Sequence, residues 1–166
     1  MRVELFVAIS ADGFIARNDS ELVDWSSKED KKYFVGGTKR VGTMVVGRKT
    51  FETFPGPLPG RRTIVMTRNP QKSDTKMLEY TSETPAEIVA RLDDEGIEGL
   101  AVCGGGQIYE QFLNAGLVDV CHVTVEDVNL EDGLRFVENV DGEFEYLSSE
   151  YLSDVTSVHD FVFKPS

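Results

Sequence analysis

The sequence predicts one α/β domain over residues 1–166, built on a mixed, mostly parallel sheet flanked by helices, with an antiparallel C-terminal hairpin at one edge. Three observations carry that expectation. Short, almost wholly apolar runs such as "VELFVAI" and "TMVVG" have the pattern of strands buried on both faces. These runs alternate with capped, helix-patterned segments. From Val118 onward, β-patterned stretches follow one another instead.

In chain order, residues 3–9 read as a first buried strand, and "SADGFIARNDSELVD" as a polar, turn-rich connection. "SSKEDKKYF" opens a helix, with Ser26 and Glu29 at capping-box spacing. "TMVVG" is a second strand, "RKTFETF" a short helix, "PGPLPG" a rigid turn and "RRTIVMT" a third strand. "LEY" reads as a fourth. "TPAEIVARLDDEG" carries a Thr cap, a Pro at the first helical position and a Gly stop, so it is a helix. "LAVCGGG" runs from strand into glycine loop, and "QIYEQFLNAG" is the helix that follows. "VDVCHVTVEDV" is a further strand, and "FEYLSSEYL" with "TSVHDFVF" forms a hairpin around Ser153 and Asp154.

Composition narrows the function. A chain of 166 residues with 40% hydrophobic side chains is long enough for one sizeable core. The sequence has no apolar run of the roughly 18 residues a membrane span needs, and "MRVELFVAIS", interrupted by Glu4, reads as a strand rather than a signal peptide. Cys103 and Cys121 lie in apolar runs and read as buried thiols, which fits a reducing cytoplasm; no metal is expected. A net charge of −12 argues against nucleic acid as a partner. Charge is uneven, however. Residues 39–76 hold nine of the 17 basic residues and only two acids, Glu52 and Asp74. That segment reads either as a site for a small, multiply anionic ligand or as a solvated basic face.

Two strand–glycine–helix junctions stand out, "CGGGQIYEQFL" and "VVGRKT". Without Cβ atoms the backbone can approach a ligand closely, and N–H groups at a helix start favour an anion. The triplet is not the G-x-G-x-x-G fingerprint. With Arg48 and Lys49 beside the second junction, a phosphorylated dinucleotide fits the pair better than it fits either junction alone. His122 and His159 sit in β-patterned runs and read as structural.

The order and spacing of "VAIS", "DWSSKEDKKYF", "MVVGRKTFE", "PLPGRRTIVMTR" and "CGGGQIYEQFL" resemble the dihydrofolate reductase family, along most of the chain up to Thr124. The resemblance implies NADPH as cofactor and a dihydrofolate-type small molecule as substrate, on a dihydrofolate reductase-like fold, as monomer or homodimer. It implies that Trp25 and Asp30 match the Trp and acid of a pteridine pocket, with Asp30 bonding the pterin 2-amino group and N3 and helping a proton to N5. Phe34 matches an aromatic that packs on substrate, Arg61 the arginine that grips a glutamate carboxylate, and Thr124 the residue that braces the acid. Ala8 and Ile15 match residues flanking the nicotinamide, Ala8 also meeting substrate. Gly47, Arg48, Lys49 and Thr50 match pyrophosphate and 2′-phosphate contacts, with Thr67 and Arg68 near the adenosine. Gly104, Gly105, Gly106, Gln107, Ile108 and Tyr109 match the glycine loop and helix start beneath the diphosphate.

Elementary chemistry agrees with those roles. Hydride transfer needs no protein nucleophile, only two partners held face to face. Protonating a weakly basic imine nitrogen is the protein's task, and one carboxyl in an apolar pocket can do it. Some features depart from the family. "S-A-DG-F-I-A" resembles the opening of riboflavin-pathway pyrimidine reductases, which share the fold and use NADPH. Lys31 stands where an apolar pocket residue is usual, and "EDGLRF" replaces the expected "GDT-x-F". Three readings follow: a dihydrofolate reductase, a reductase of a ribosylamino-pyrimidine phosphate, and a catalytically idle cofactor-binding or interaction module. Trp25, Asp30, Phe34 and Arg61 favour the first over the second, since a ribose phosphate needs neither the pterin acid nor the glutamate arginine, and the presence of the acid and the basic contacts argues against the third.

Overall fold

In the computed structural model, which describes residues 1–18, 23–73 and 75–166, the apolar runs form the middle of an eight-stranded sheet. The strands are β1 (Arg2–Ser10), β3 (Thr43–Gly47), β4 (Arg62–Met66), β5 (Leu78–Thr81), β6 (Gly99–Val102), β7 (Val120–Glu126), β9 (Gly142–Tyr151) and β10 (Thr156–Pro165). Their order is β5-β4-β3-β6-β1-β7-β10-β9. The first six in that order run parallel, and β10 pairs antiparallel with both β7 and β9. This is the mixed sheet with a C-terminal hairpin that the sequence predicts. Two short strands, β2 (Phe14–Ala16) and β8 (Leu134–Arg135), pair apart from the main sheet and tie the 10–18 connection to the 129–135 loop. The rest of the turn-rich reading of residues 10–24 is described except for residues 19–22, which, like Asp74 of the basic segment, lie outside the described residues.

Helices cover both faces. Along β1, the odd residues Val3, Leu5 and Val7 enter a large core with α3 (Pro85–Asp94) and α4 (Gly106–Asn114). α3 offers Ile88 and Leu92, one turn apart, and α4 offers Ile108, Tyr109, Phe112 and Leu113. Phe112 is wholly buried, so Phe112→Ala would cost about 3–5 kcal/mol. α3 starts where the sequence says, with Thr84 and Glu87 closing a capping box and Pro85 next.

The even residues of β1 face α1 (Lys28–Val41), where Phe6, Met44, Ala101 and Cys103 pack with Tyr33, Phe34 and Val41. α1 begins one residue later than the Ser26–Glu29 spacing suggests. Ser27 is the cap, and its Oγ accepts from the Asp30 N–H at 3.1 Å. The physical reason is that Ser26 is engaged elsewhere, bonding the Asp30 side chain. α2 (Arg48–Phe51) is a single turn after β3.

Candidate functional site

β3 and β6 are neighbours, so the two glycine junctions meet. The Gly47 N–H donates to the Gly104 carbonyl at 2.7 Å. Gly104 sits at φ +114°, a region that disfavours any side chain, and the Gly104–Gly105 peptide is cis. A Cβ at Gly105 would stand 2.9 Å from Thr50 Oγ1. Bare backbone therefore faces the first residues of α2 and the start of α4. Tyr109, one turn into α4, donates its hydroxyl to the Phe6 carbonyl at 2.7 Å, which ties this helix to β1.

Around that junction opens a cleft of about 1420 Å³, over the carboxyl ends of β1, β3, β4 and β6. The cofactor residues named from the sequence all line it: Ala8, Ile15, Gly47, Arg48, Lys49, Thr50, Thr67, Arg68 and the run from Gly104 to Tyr109. Asp30, Phe34 and Thr124 line it too. Trp25 and Arg61 are not among the lining residues. Trp25 is half-buried, with its Nε1–H buried and without a hydrogen-bond partner. Arg61 is only 3% exposed; it donates from Nε to the Pro59 carbonyl at 3.0 Å and from a terminal nitrogen to Thr38 Oγ1 at 3.1 Å. Thr38 in turn donates to the Phe34 carbonyl, so Arg61 is held to α1 by a hydroxyl relay. Burial lowers the pKa of its guanidinium, and no carboxylate lies in ion-pair reach of it among the described residues.

The basic segment is less concentrated on the cleft than its charge implies. Arg40 binds both oxygens of Glu4 at 2.8 and 3.1 Å, and Arg62 bridges Glu79 and Glu95. Of the nine basic residues, Arg48, Lys49 and Arg68 line the cleft, and Arg48 pairs with Glu52 at 2.8 Å. The other basic side chains of the segment are spent elsewhere on structure or surface.

Asp30 also lines the cleft, 9% exposed, on the first turn of α1. Burial raises its pKa, and the negative charge of Glu126 acts in the same direction. Hydrogen bonds to its carboxylate from Thr124 and Ser26, and the nearby Lys31 charge, oppose that rise without cancelling it. A carboxyl so placed holds its proton to higher pH than an exposed one and can pass it to a group in the cleft.

Sequence reading missed two residues of this site. His122 also lines the cleft, stacked against Phe6 at 4.8 Å between ring centres. Its ring nitrogens lie 2.8 Å from Glu4 Oε1 and from Asp160 Oδ1, so Arg40, Glu4, His122 and Asp160 form one chain, buried at Glu4 and His122 and open to water at Arg40. The second is Glu126, which is buried off the cleft lining and acts on Asp30 by its charge. A signal for both exists in the strand: His122, Thr124 and Glu126 alternate with Cys121, Val123 and Val125, a polar face against an apolar one.

A mostly parallel sheet with a cleft over the carboxyl ends of its strands, lined by both bare glycine backbone and a buried acid, defines a small α/β protein with a nucleotide-sized cleft. The sequence pattern of the family described as dihydrofolate reductase matches residues 2–165, and the chain belongs to that oxidoreductase family. Dihydrofolate reductase HdrB of Haloferax volcanii is 34% identical over 147 residues, covering 81% of this chain and 70% of that protein. Dihydrofolate reductase type 3 of Salmonella typhimurium is 31% identical over 137 residues, covering 82% and 78%. The crystal structure of a Shewanella sp. PV-4 protein assigned to riboflavin biosynthesis superposes with a TM-score of 0.77 over 99% of both chains, at 21% identity, and shares the fold. No helix among the described residues is long and apolar enough to cross a membrane.

Proposed function

We propose that the chain reduces 7,8-dihydrofolate to 5,6,7,8-tetrahydrofolate with NADPH, by hydride transfer to C6 and protonation of N5. The observation that carries this reading is Asp30, a single buried carboxyl that opens on the cleft, braced by Thr124 and Ser26 and biased toward its protonated form. A pterin presents a 2-amino group and N3 to such an acid, and the acid returns a proton toward N5. Phe34 offers an aromatic face to the ring. Arg61, a buried cation without a carboxylate partner among the described residues, gains most from a ligand that brings one.

The other end of the cleft fits a dinucleotide. A Cβ at Gly105 would fill the space beside Thr50, so the bare backbone is a cradle, and Arg48, Lys49 and Arg68 supply positive charge within reach of its rim. A reduced nicotinamide bound there supplies the hydride. Gly104 to Tyr109 and Thr50 would hold its diphosphate, Arg48 and Lys49 its extra phosphate, Thr67 and Arg68 the adenosine end, and Ala8 and Ile15 the ring.

Lys31 favours a second reading, reduction of a ribosylamino-pyrimidine phosphate, because it puts a cation on the cleft wall beside Asp30. Trp25 and Arg61 standing off the lining weigh the same way. Decay of NADPH absorbance with dihydrofolate, with and without an antifolate, separates the two. Turnover that an antifolate stops supports the folate reading. Turnover with the pyrimidine phosphate alone, insensitive to antifolate, replaces it.

A further inference from the structure

Glu126 ends β7 and is 3% exposed, a carboxylate with no cation in ion-pair reach among the described residues. Hydroxyls and an amide satisfy it instead. The Ser27 N–H and the Ser27 hydroxyl both donate to it, the latter at 3.2 Å, and Thr156 on β10 donates from the other side. The Thr156 hydroxyl also lies 2.9 Å from Ser27 Oγ. Ser27 is the cap of α1, so its Oγ has two fixed duties: its proton goes to Glu126, and its lone pair takes the Asp30 N–H. Two residues earlier on the same face of β7, Thr124 holds the Asp30 side chain. One strand thus grips Asp30 at both ends, by its carboxyl through Thr124 and by its backbone through Glu126 and Ser27.

A neutral side chain could accept those same hydrogen bonds, so the buried charge calls for a reason of its own. The groups around Asp30 are Lys31 on α1, Glu126 on β7 and the un-ionised phenol of Tyr109 on α4. On β1 the residue paired with Glu126 is Ser10, which donates to Asp12, and Asp12 is turned to the N–H groups of Leu130 and Glu131. β10 contributes the uncharged Thr156. Glu126 is therefore the negative charge placed to act on Asp30 from the strand side.

We propose that Glu126 is a positioning residue for Asp30: through Ser27 it fixes the first turn of α1 against β7, and it sets a buried acid on the strand side of Asp30. This rests on Asp30 being the proton donor of the proposed reduction. The substitution that tests it is Glu126→Gln, which keeps the shape and an acceptor and removes the charge. In ligand-free protein, the Asp30 carboxyl followed by carbon NMR should titrate at lower pH in Glu126→Gln than in the parent. With NADPH and dihydrofolate, turnover should fall roughly three- to tenfold at pH 8 and change by less than about twofold at pH 5. An unmoved Asp30 titration, or a loss equal at both pH values, overturns the electrostatic role.

If Glu126→Gln does not fold, Ser27→Ala addresses the clamp from the other side of the hydrogen bond. It leaves the Glu126 charge and removes the hydroxyl between it and Asp30, so turnover should drop at every pH with no fall in the midpoint. Parent-like turnover in Ser27→Ala overturns the clamp. The NMR titration needs no substrate, so a parent protein that ignores dihydrofolate defeats the proposed function and leaves the Glu126–Asp30 coupling measurable.

Discussion

Thr50 Oγ1 closes to 2.9 Å on the place a Cβ would occupy at Gly105, while the nearest neighbour to a Cβ at Gly106 is Ile15 Cδ1 at an ordinary 3.4 Å. Neither glycine has the positive φ that marks Gly104, so the contrast between them is one of space rather than backbone strain. Thr50 is short and β-branched, and cannot swing away as a long side chain would. Gly105→Ala should therefore push Thr50 toward the cleft and weaken NADPH by about tenfold or more, with Gly106→Ala much less affected. Fluorescence titration of NADPH against both variants checks it. Equal affinities would mean that the glycine loop does not lie against the cofactor.

Arg48 donates to Glu52 one turn along, so any phosphate it binds competes with that carboxylate. Removing Arg48 should weaken NADPH by about 1.5 kcal/mol, the lower end for a hydrogen bond to a charged group, because the side chain is half-exposed. NADH should hardly respond. Glu52→Gln should do the reverse and tighten NADPH more than NADH. Parallel losses for both cofactors in the Arg48 variant would place the 2′-phosphate elsewhere.

The strands and helices that carry these groups were readable because their patterns are long. β1, β3 and β6 are mostly apolar, β1 broken only by Glu4 between Val3 and Ile9, and α3 carries its cap, proline and stop in one stretch. β2 and β8 were not readable, since two or three residues set no period and their pairing is decided by the loop that Asp12 closes. Proximity was harder still. "GGG" and "RKT" are more than 50 residues apart in the chain, and only the insertion of β6 between β3 and β1 brings them together. Charge misled most: Arg40 and Arg62 look available in the sequence, yet each is taken up by carboxylates of the fold. His122 looks structural, and it is bonded on both nitrogens, but it also stands on the cleft wall.

Glu4 offers a test of that inner chain. Its carboxylate is buried, and burial alone would raise its pKa; hydrogen bonds from Arg40 and His122, with their charges, overcome this and lower it. A carboxylate lowered in the fold contributes stability above its unfolded value, and that contribution is lost as pH falls through the folded one. Glu4→Gln should cost about 3 kcal/mol near neutral pH, the lower end for breaking a buried pair, because Arg40 keeps contact with water. The difference from the parent should shrink in acid. Denaturant unfolding at neutral and low pH reads both values, and a pH-independent loss would point to packing instead.

Asp30 has the opposite sign. A carboxyl raised in the fold favours its neutral form, so its contribution to stability is complete below the unfolded pKa and is lost as pH rises through the folded one. Asp30→Asn is neutral at every pH and keeps a carbonyl to accept from Thr124. It should therefore melt higher than the parent at pH 8 and level with it in acid, while hydride transfer at pH 7 falls by about 100-fold or more. Acid should restore part of the rate, because solvent then protonates the substrate directly. Calorimetry and stopped-flow rates across pH check the two halves separately. Full turnover at pH 7 would remove Asp30 from the reaction.

Arg61 decides between the folate and pyrimidine readings. Pterin and glutamate lie at opposite ends of dihydrofolate, so its reductase needs a cation remote from the acid. Arg61 is such a cation, on a turn stiffened by Pro57 and Pro59 and tied through Thr38 to the carbonyl of Phe34. Its burial without a carboxylate partner among the described residues leaves the guanidinium short of the charge that an incoming carboxylate would bring. Arg61→Leu should raise the KM for dihydrofolate and weaken methotrexate, each by roughly tenfold or more, and leave a dihydropterin lacking glutamate nearly unchanged. Thr38→Val, which keeps the charge but loosens its seat, should show the same pattern with a smaller effect. Melting curves of both variants separate a binding loss from a folding one. If folded Arg61→Leu handled dihydrofolate and methotrexate like the parent, no glutamate would be bound there, and a ribose-phosphate substrate, with Lys31 as its cation, would take the place of folate.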